Sequence, residues 1–478
     1  MIQNFLIRHL LKPMAGLKNK IPEKVWQIVI TLSIFAMQLC QVASAMGIIT
    51  RYIIATGVLC VFFGIIIFAG LSADMKPLKL RPILWICWFG MGILMAATGV
   101  LVEPNVLATA AIWLVAMPVF FVVWGNRKLE ELVKPFVNGI YLAFAVTFLI
   151  CAINYPVSGG AYTGYYENQN GLALHCAGIY VIALVDLFSQ ERFNWRNCVA
   201  AVVAGFSAAM LFYTNARGGQ LAAVICTVAM LIFTAVTKRK KIVKSVIGQV
   251  LPLVLAIAIA IPSCVSVFAF GFNLKNGHIL QADKPSVGEV TVPPTEAPTT
   301  PPTEAPTTPP TEAPTAPPVG DALQDILDRQ EERVNTGGDL DTITSGRVSL
   351  WKAYAKELQF LGHREDHQVL GANGKPIKMS SHLTLLQISY EYGALTGVFY
   401  LIFNLFAGVL SLIFAIKNKM KGYSAFPVMI AIGYAVVYMV EWVFSPISGV
   451  MSFAYIIMQV PFMWKNHSMC IAEKTDRS

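Results

Sequence analysis

Two arginines and a histidine stand where chemistry on an anionic substrate would need them. Arg217 lies in Asn-Ala-Arg-Gly-Gly, a short polar turn between two long apolar runs. Arg347 falls near the predicted start of a helix and four residues before Trp351, so the two share a face. A cation at that end opposes the helix dipole, so an anionic partner is the better account of it. Guanidinium forks suit phosphate because they stay charged and bond it bidentately. His382 follows Ser380-Ser381, a cap signal, at the predicted start of another helix. A helix N-terminus disfavours an imidazolium, and a neutral imidazole there suits a general base.

Other polar residues gather around these three. Asn168 and Asn170, in Glu-Asn-Gln-Asn-Gly, precede an apolar run, and His175 lies about one turn further on. Glu391 follows His382 in the segment entering the next run. Glu441 sits near the end of a span, where an ionisable group is costly and a functional suspect. Asn168, Asn170, His175, Glu391 and Glu441 are the substrate-binding candidates. Each residue also has a plainer account. Arg217 could contact lipid phosphate, Arg347 could be a surface cation, His382 an exposed cap residue, His175 a packing residue, and Glu441 a snorkelling one. Asp186 reads as interfacial. His363 and His367 have zinc-like spacing if helical. Gly362 and the following glycines argue against a helix there, and no third ligand is evident, so no metal is expected. None of the nine cysteines falls in the large loop described below, and they suggest neither disulfides nor a metal set.

The elements that must position these residues are membrane helices. The 478 residues are 56% hydrophobic and only 13% charged. A soluble domain carries about 25% charged residues, and a disordered chain is less apolar still. Apolar runs of bilayer-spanning length recur along the chain. The expected fold is an all-α polytopic membrane protein with about twelve spans, near 25–43, 52–72, 82–101, 106–124, 136–154, 171–188, 198–214, 220–237, 246–270, 395–416, 424–444 and 450–464. The net charge of +9 would hint at nucleic acid in a soluble protein. Here it sets topology instead, and no nucleic-acid partner is expected. With the N-terminus cytoplasmic, inner segments hold 24 of the 36 Lys and Arg and carry +17, against −6 outside, with the two acids Asp186 and Glu441 inside spans. Both termini are therefore expected in the cytoplasm of a multi-pass cell-membrane protein.

This orientation divides the chain into a cytoplasmic tail 1–24, nine helices over 25–270, an extracytoplasmic loop 271–394, three helices over 395–464, and a tail 465–478. The first tail lacks a small-residue cleavage site and reads as retained. Within the loop, TEAPTTPP recurs at Thr295–Pro302 and Thr303–Pro310, then as TEAPTAPP at Thr311–Pro318. Eleven of 26 prolines lie in 293–318, which predicts an extended polyproline spacer reaching about 80 Å. The segment 321–394 is expected to be helical: one helix capped by Asp321, a second from near Ser345, and a third from His382 into the membrane. All the polar candidates above then fall on the outer side.

Asn-Gln-Asn-Gly, Asn-Ala-Arg-Gly-Gly, Ser-Gly-Arg-Val-Ser-Leu-Trp and Ser-His-Leu-Thr-Leu-Leu-Gln…Glu-Tyr-Gly-Ala-Leu-Thr-Gly together resemble the O-antigen ligase and polymerase superfamily. These are polytopic membrane glycosyltransferases with about twelve spans and a large outer loop near the C-terminal third. The resemblance runs from about 160 to 400. It implies that Arg217, Arg347 and His382 are the catalytic set. They would act on an undecaprenyl-pyrophosphate-linked glycan donor and an acceptor hydroxyl on a glycan or glycolipid, with the bilayer as surroundings and no cofactor or metal. Leu383 stands where members commonly have Asn, which removes a polar group beside the base. The Pro/Thr insert is unusual for the family and fits a cell with a thick outer wall. The alternative is a lipid-linked oligosaccharide transporter, which would show paired half-repeats and a midplane site.

Overall fold

The computed structural model describes residues 2–50, 52–157, 161–166, 168–190, 194–237, 246–276, 347–371, 374–377, 379–442, 444, 447 and 449–465. The Pro/Thr repeat, the helix expected from Asp321 and the expected start of the second loop helix near Ser345 lie outside them.

Among the described residues the regular structure is helical, and β pairing is limited to isolated bridges. A helical arm over residues 2–18 precedes the bundle. In chain order the bundle helices are α1 Glu23–Ala45, α2 Tyr52–Ala69, α3 Pro82–Leu101, α4 Val106–Trp124, α5 Leu129–Asn154, α6 Gln169–Ser189, α7 Trp195–Thr214, α8 Arg217–Thr237 and α9 Ile247–Lys275. After the loop come two short helices, α10 Arg347–Lys356 and α11 Thr384–Tyr392, then α12 Ala394–Lys417, α13 Phe426–Tyr438 and α14 Val450–Gln459. Nine described helices are long and apolar enough to cross a membrane, and three further apolar helices are shorter. The shorter three lie where the second, eleventh and twelfth spans are expected. The architecture is that of an α-helical polytopic membrane protein.

Local sequence explains the irregular points. Pro118 has no amide hydrogen, and α4 passes through a π turn at Ile112–Ala116 just before it. Asn194 and Asn197 form a reciprocal capping box that starts α7. Gly205 lets α7 approach α9 so closely that a Cβ there would lie 2.7 Å from the Ala256 carbonyl. Small residues at such crossings are how membrane helices pack without a hydrophobic drive between them. Val100, Val115, Val202, Val236 and Ile259 are exposed on the outside of the bundle, a surface suited to lipid.

α6 is the central helix, apolar on every side and buried along nearly its whole length. It packs against α5, α7, α8, α13 and α14. Asp186 near its C-terminal end is fully enclosed rather than merely interfacial. Arg196 of α7 bonds both its oxygens, at 2.8 and 3.0 Å. The Tyr141 hydroxyl of α5 donates at 3.1 Å, and that of Tyr423, in the turn before α13, at 2.5 Å. Four segments thus meet on one carboxylate. Asp186→Ala should destabilise the protein by up to about 3 kcal/mol, because it leaves the partly buried Arg196 guanidinium and two tyrosine hydroxyls without their acceptor. Thermal unfolding in detergent measures this, and a melting temperature equal to wild type would refute the role.

The segments flanking α11 have their own small core, built from Leu350, Tyr354, Val369, Leu386 and Tyr390. It docks on the turn between α3 and α4. The Gly362 amide donates to Thr98 Oγ1 at 3.2 Å and the Glu365 amide to Glu103 at 3.0 Å. Backbone donors at Glu365 and Asn105 hold the Glu103 carboxyl below its ordinary pKa. α11 ends at Gly393, whose φ of +100° permits the sharp turn into α12. The segment after His382 is therefore two helices, not one.

Candidate functional site

A cavity of about 410 Å³ opens at one end of the bundle. Its walls are the first turns of two helices, Gln169, Asn170 and Ala173 of α6 and Arg217, Gly218 and Gly219 of α8, together with Arg347 and Trp351 of α10. Asn215, Val440 and Glu441 complete the polar side. Each helix N-terminus turns its unshared amide hydrogens and the positive end of its dipole toward the space it begins at. Two such ends, with the guanidinium groups of Arg217 and Arg347, favour negative charge in the cavity.

The turn carrying Arg217 is shaped by its neighbours. Asn215 closes α7 in the left-handed conformation, at φ 56°, which Asn tolerates better than most residues. Gly218 admits Val440, whose Cγ2 would lie 2.4 Å from a Cβ at that position. The glycine after Arg217 thus brings the chain around Glu441 against the start of α8. Arg217 itself is exposed at the cavity wall.

Glu441 joins the other two key residues. Arg347 donates through Nη2 to Glu441 Oε1 at 3.2 Å and through Nη1 to the Val440 carbonyl. His382 Nδ1 lies 2.9 Å from Glu441 Oε2. A carboxylate oxygen accepts, so Nδ1 carries the hydrogen, and in the neutral ring it is Nε2 that has the lone pair. The Arg347, Glu441 and His382 side chains are only 23%, 12% and 24% exposed. Arg347 uses two of its five N–H groups in these bonds, which leaves donors for an anion. His382 does not line the cavity; it stands behind Glu441.

The expected helix start at His382 is corrected. α11 begins at Thr384, and His382 holds φ +50°, a strained conformation for a residue with a side chain. The cap signal at Ser380-Ser381 is diverted because Ser381 Oγ donates to the Leu383 carbonyl, while the Ser381 amide donates to Gln387 Oε1 at 2.7 Å. The loop is anchored on both sides. Trp351 Nε1 donates to the Ser381 carbonyl, Tyr354 to the Met379 carbonyl, and Thr384 Oγ1 to the Glu441 carbonyl at 2.6 Å. Glu441 also lies beyond the end of α13 at Tyr438, not inside a helical span.

The remaining candidates separate. Asn170 lines the cavity, whereas Asn168 caps α6 by accepting from the Gly171 amide at 2.9 Å. His175 is buried in α6, edge-on to Tyr165 and near Tyr166, and does not line the cavity. Glu391 also lies outside the cavity lining; burial raises its pKa above the ordinary value, and Gln387 donates to it at 2.9 Å. Gln169 and Asn215 line the cavity without having been singled out in the sequence, for they carry no charge and fall at helix ends where caps are ordinary. Comparison with protein-family models, curated proteins and solved structures gives no match to this chain.

Proposed function

We propose that the protein transfers a glycan from a lipid-linked pyrophosphate carrier to an acceptor hydroxyl at the outer face of the cell membrane, in surface polysaccharide ligation or polymerisation. The observation carrying this reading is the convergence of two helix N-termini and two arginines on one cavity, beside a histidine oriented by a carboxylate. Both termini lie in the cytoplasm on this reading, and the cavity opens outward.

The pyrophosphate occupies the cavity between Arg217 and Arg347, with Asn170 at its edge and the lipid tail between helices. The anomeric carbon–oxygen bond to the pyrophosphate breaks, and negative charge grows on the leaving group. Fixed donors aimed at that charge are worth about 3 kcal/mol each in comparable sites. The acceptor hydroxyl attacks from the His382 side. Its proton passes to Nε2, its oxygen forms the new glycosidic bond, and the lipid pyrophosphate departs. Glu441 positions both His382 and Arg347.

The glycan phenotype of a deletion strain tests the reaction class. Lipid-linked glycan should accumulate on the outer face. Shortened chains would indicate a polymerase, and full-length chains left on the carrier a ligase. Carrier-linked glycan retained on the inner face would instead support a transporter and overturn the proposal.

A further inference from the structure

At the far end of α10 from Arg347, about 15 Å along the helix axis, a second polar cluster occurs. Glu357, just past the last turn of α10, meets His363 and His367 from the loop that follows. One ligand atom from each lies within 4.8 Å of the other two. The loop is not helical, as its glycines predict, so the spacing of the two histidines does not bring them together. Tyr390 of α11 does. Its ring stacks on His363 at 4.3 Å, and the two imidazole centroids lie 4.4 Å apart.

Tyr390 also sets the protonation of both rings. Its carbonyl lies 3.0 Å from His363 Nδ1 and can only accept, so that nitrogen carries the hydrogen. Its hydroxyl donates to the His367 carbonyl at 3.2 Å and therefore accepts from His367 Nδ1 at 2.8 Å. Both Nε2 atoms are left with lone pairs, and His367 Nε2 lies 3.9 Å from Glu357 Oε2.

We propose that Glu357, His363 and His367 bind a divalent transition-metal ion of the zinc class, with Tyr390 fixing the ligand tautomers. Two neutral imidazoles and one carboxylate form a familiar zinc ligand set, with a fourth position open to water. A second group holding each Nδ1 hydrogen is the usual support of such ligands. Donor atoms on a tetrahedral zinc ion sit about 3.3 Å apart, so the cluster must close slightly. The Glu357 side chain is 38% exposed and can swing toward the two rings. The ion would tie the end of α10 to the loop 362–367 and, through Tyr390, to α11. It would brace the helices that carry Arg347 and lead from His382, without touching the transferred group. It does not depend on the transfer reaction.

The full chain, without a histidine tag and reconstituted in nanodiscs, would be stripped with chelator and titrated with Zn²⁺ by calorimetry and with Co²⁺ by visible absorption. One equivalent should bind, with tetrahedral cobalt bands and no sulfur-to-metal charge transfer. His367→Gln and Glu357→Gln should each weaken binding at least about tenfold, and Tyr390→Phe about 10–100-fold. His382→Gln should leave it unchanged. Binding equal to wild type in His367→Gln, absence of binding at millimolar metal, a thiolate band, or loss of binding in His382→Gln alone would each overturn the site.

Discussion

His382→Ala is expected to lower glycan transfer by about 10²–10⁴-fold, the usual contribution of a positioned general base. Binding of the lipid-linked donor should survive, because the cavity is built from Arg217, Arg347 and helix N-termini and not from His382. The expectation rests on the hydrogen bond from Nδ1 to Glu441, which leaves Nε2 as the proton acceptor. Alanine suffers the same left-handed backbone as histidine, so the loop geometry should be retained. Added imidazole should restore part of the rate, a result that a merely structural defect would not give. The measurement is transfer from a defined prenyl-pyrophosphate glycan in nanodiscs, with donor binding followed separately. Transfer at the wild-type rate would remove His382 from the chemistry.

How far the sequence reveals this site depends on the distance between partners. Arg217 is legible because it is one of two cations in the short loops that the charge balance places outside, and Arg347 because a cation near a predicted helix start opposes the dipole. Glu441 is legible as an acid in apolar surroundings, but its part as a bridge is not. Its partners lie 59 and 94 residues away, and only tertiary contacts, such as Thr384 and Arg347 on the carbonyls of this segment, bring them together. The same limit hides the role of Asp186, whose Tyr423 partner is 237 residues distant. Cap signals are legible but ambiguous. Asn168 obeys its signal and caps α6, while Ser381 spends its hydroxyl on the Leu383 carbonyl and leaves His382 outside the helix. Glu357 escapes notice as a third ligand because it belongs to the previous helix end, where an exposed acid needs no explanation. The helical membrane class is the easiest reading, since it is set by run length and composition and by no long-range contact.

Glu441→Gln is expected to cost nearly as much as loss of the histidine, although Glu441 need touch no reacting atom. The carboxylate accepts from Arg347 on one oxygen and from His382 on the other. An amide of the same shape cannot do both. With its oxygen toward His382 Nδ1, its NH₂ faces the Arg347 donors and the guanidinium loses its anchor. Turned over, it satisfies Arg347 but donates to Nδ1, which moves the ring hydrogen to Nε2 and removes the base. Replacing the carboxylate that orients a catalytic histidine by its amide costs about 10⁴ in a well-studied hydrolytic triad. A fall in kcat of about 10²–10⁴ is therefore expected, with a smaller rise in the donor KM from the loosened Arg347. The fold should hold, because Thr384 and Arg347 also bond backbone carbonyls of this segment, which the substitution leaves in place. Steady-state kinetics beside thermal unfolding separate the cases. A near-normal melting temperature with a low kcat supports positioning by Glu441. A wild-type kcat, or a loss of rate matched by a collapse of the melting temperature, would show that the carboxylate is not what prepares His382.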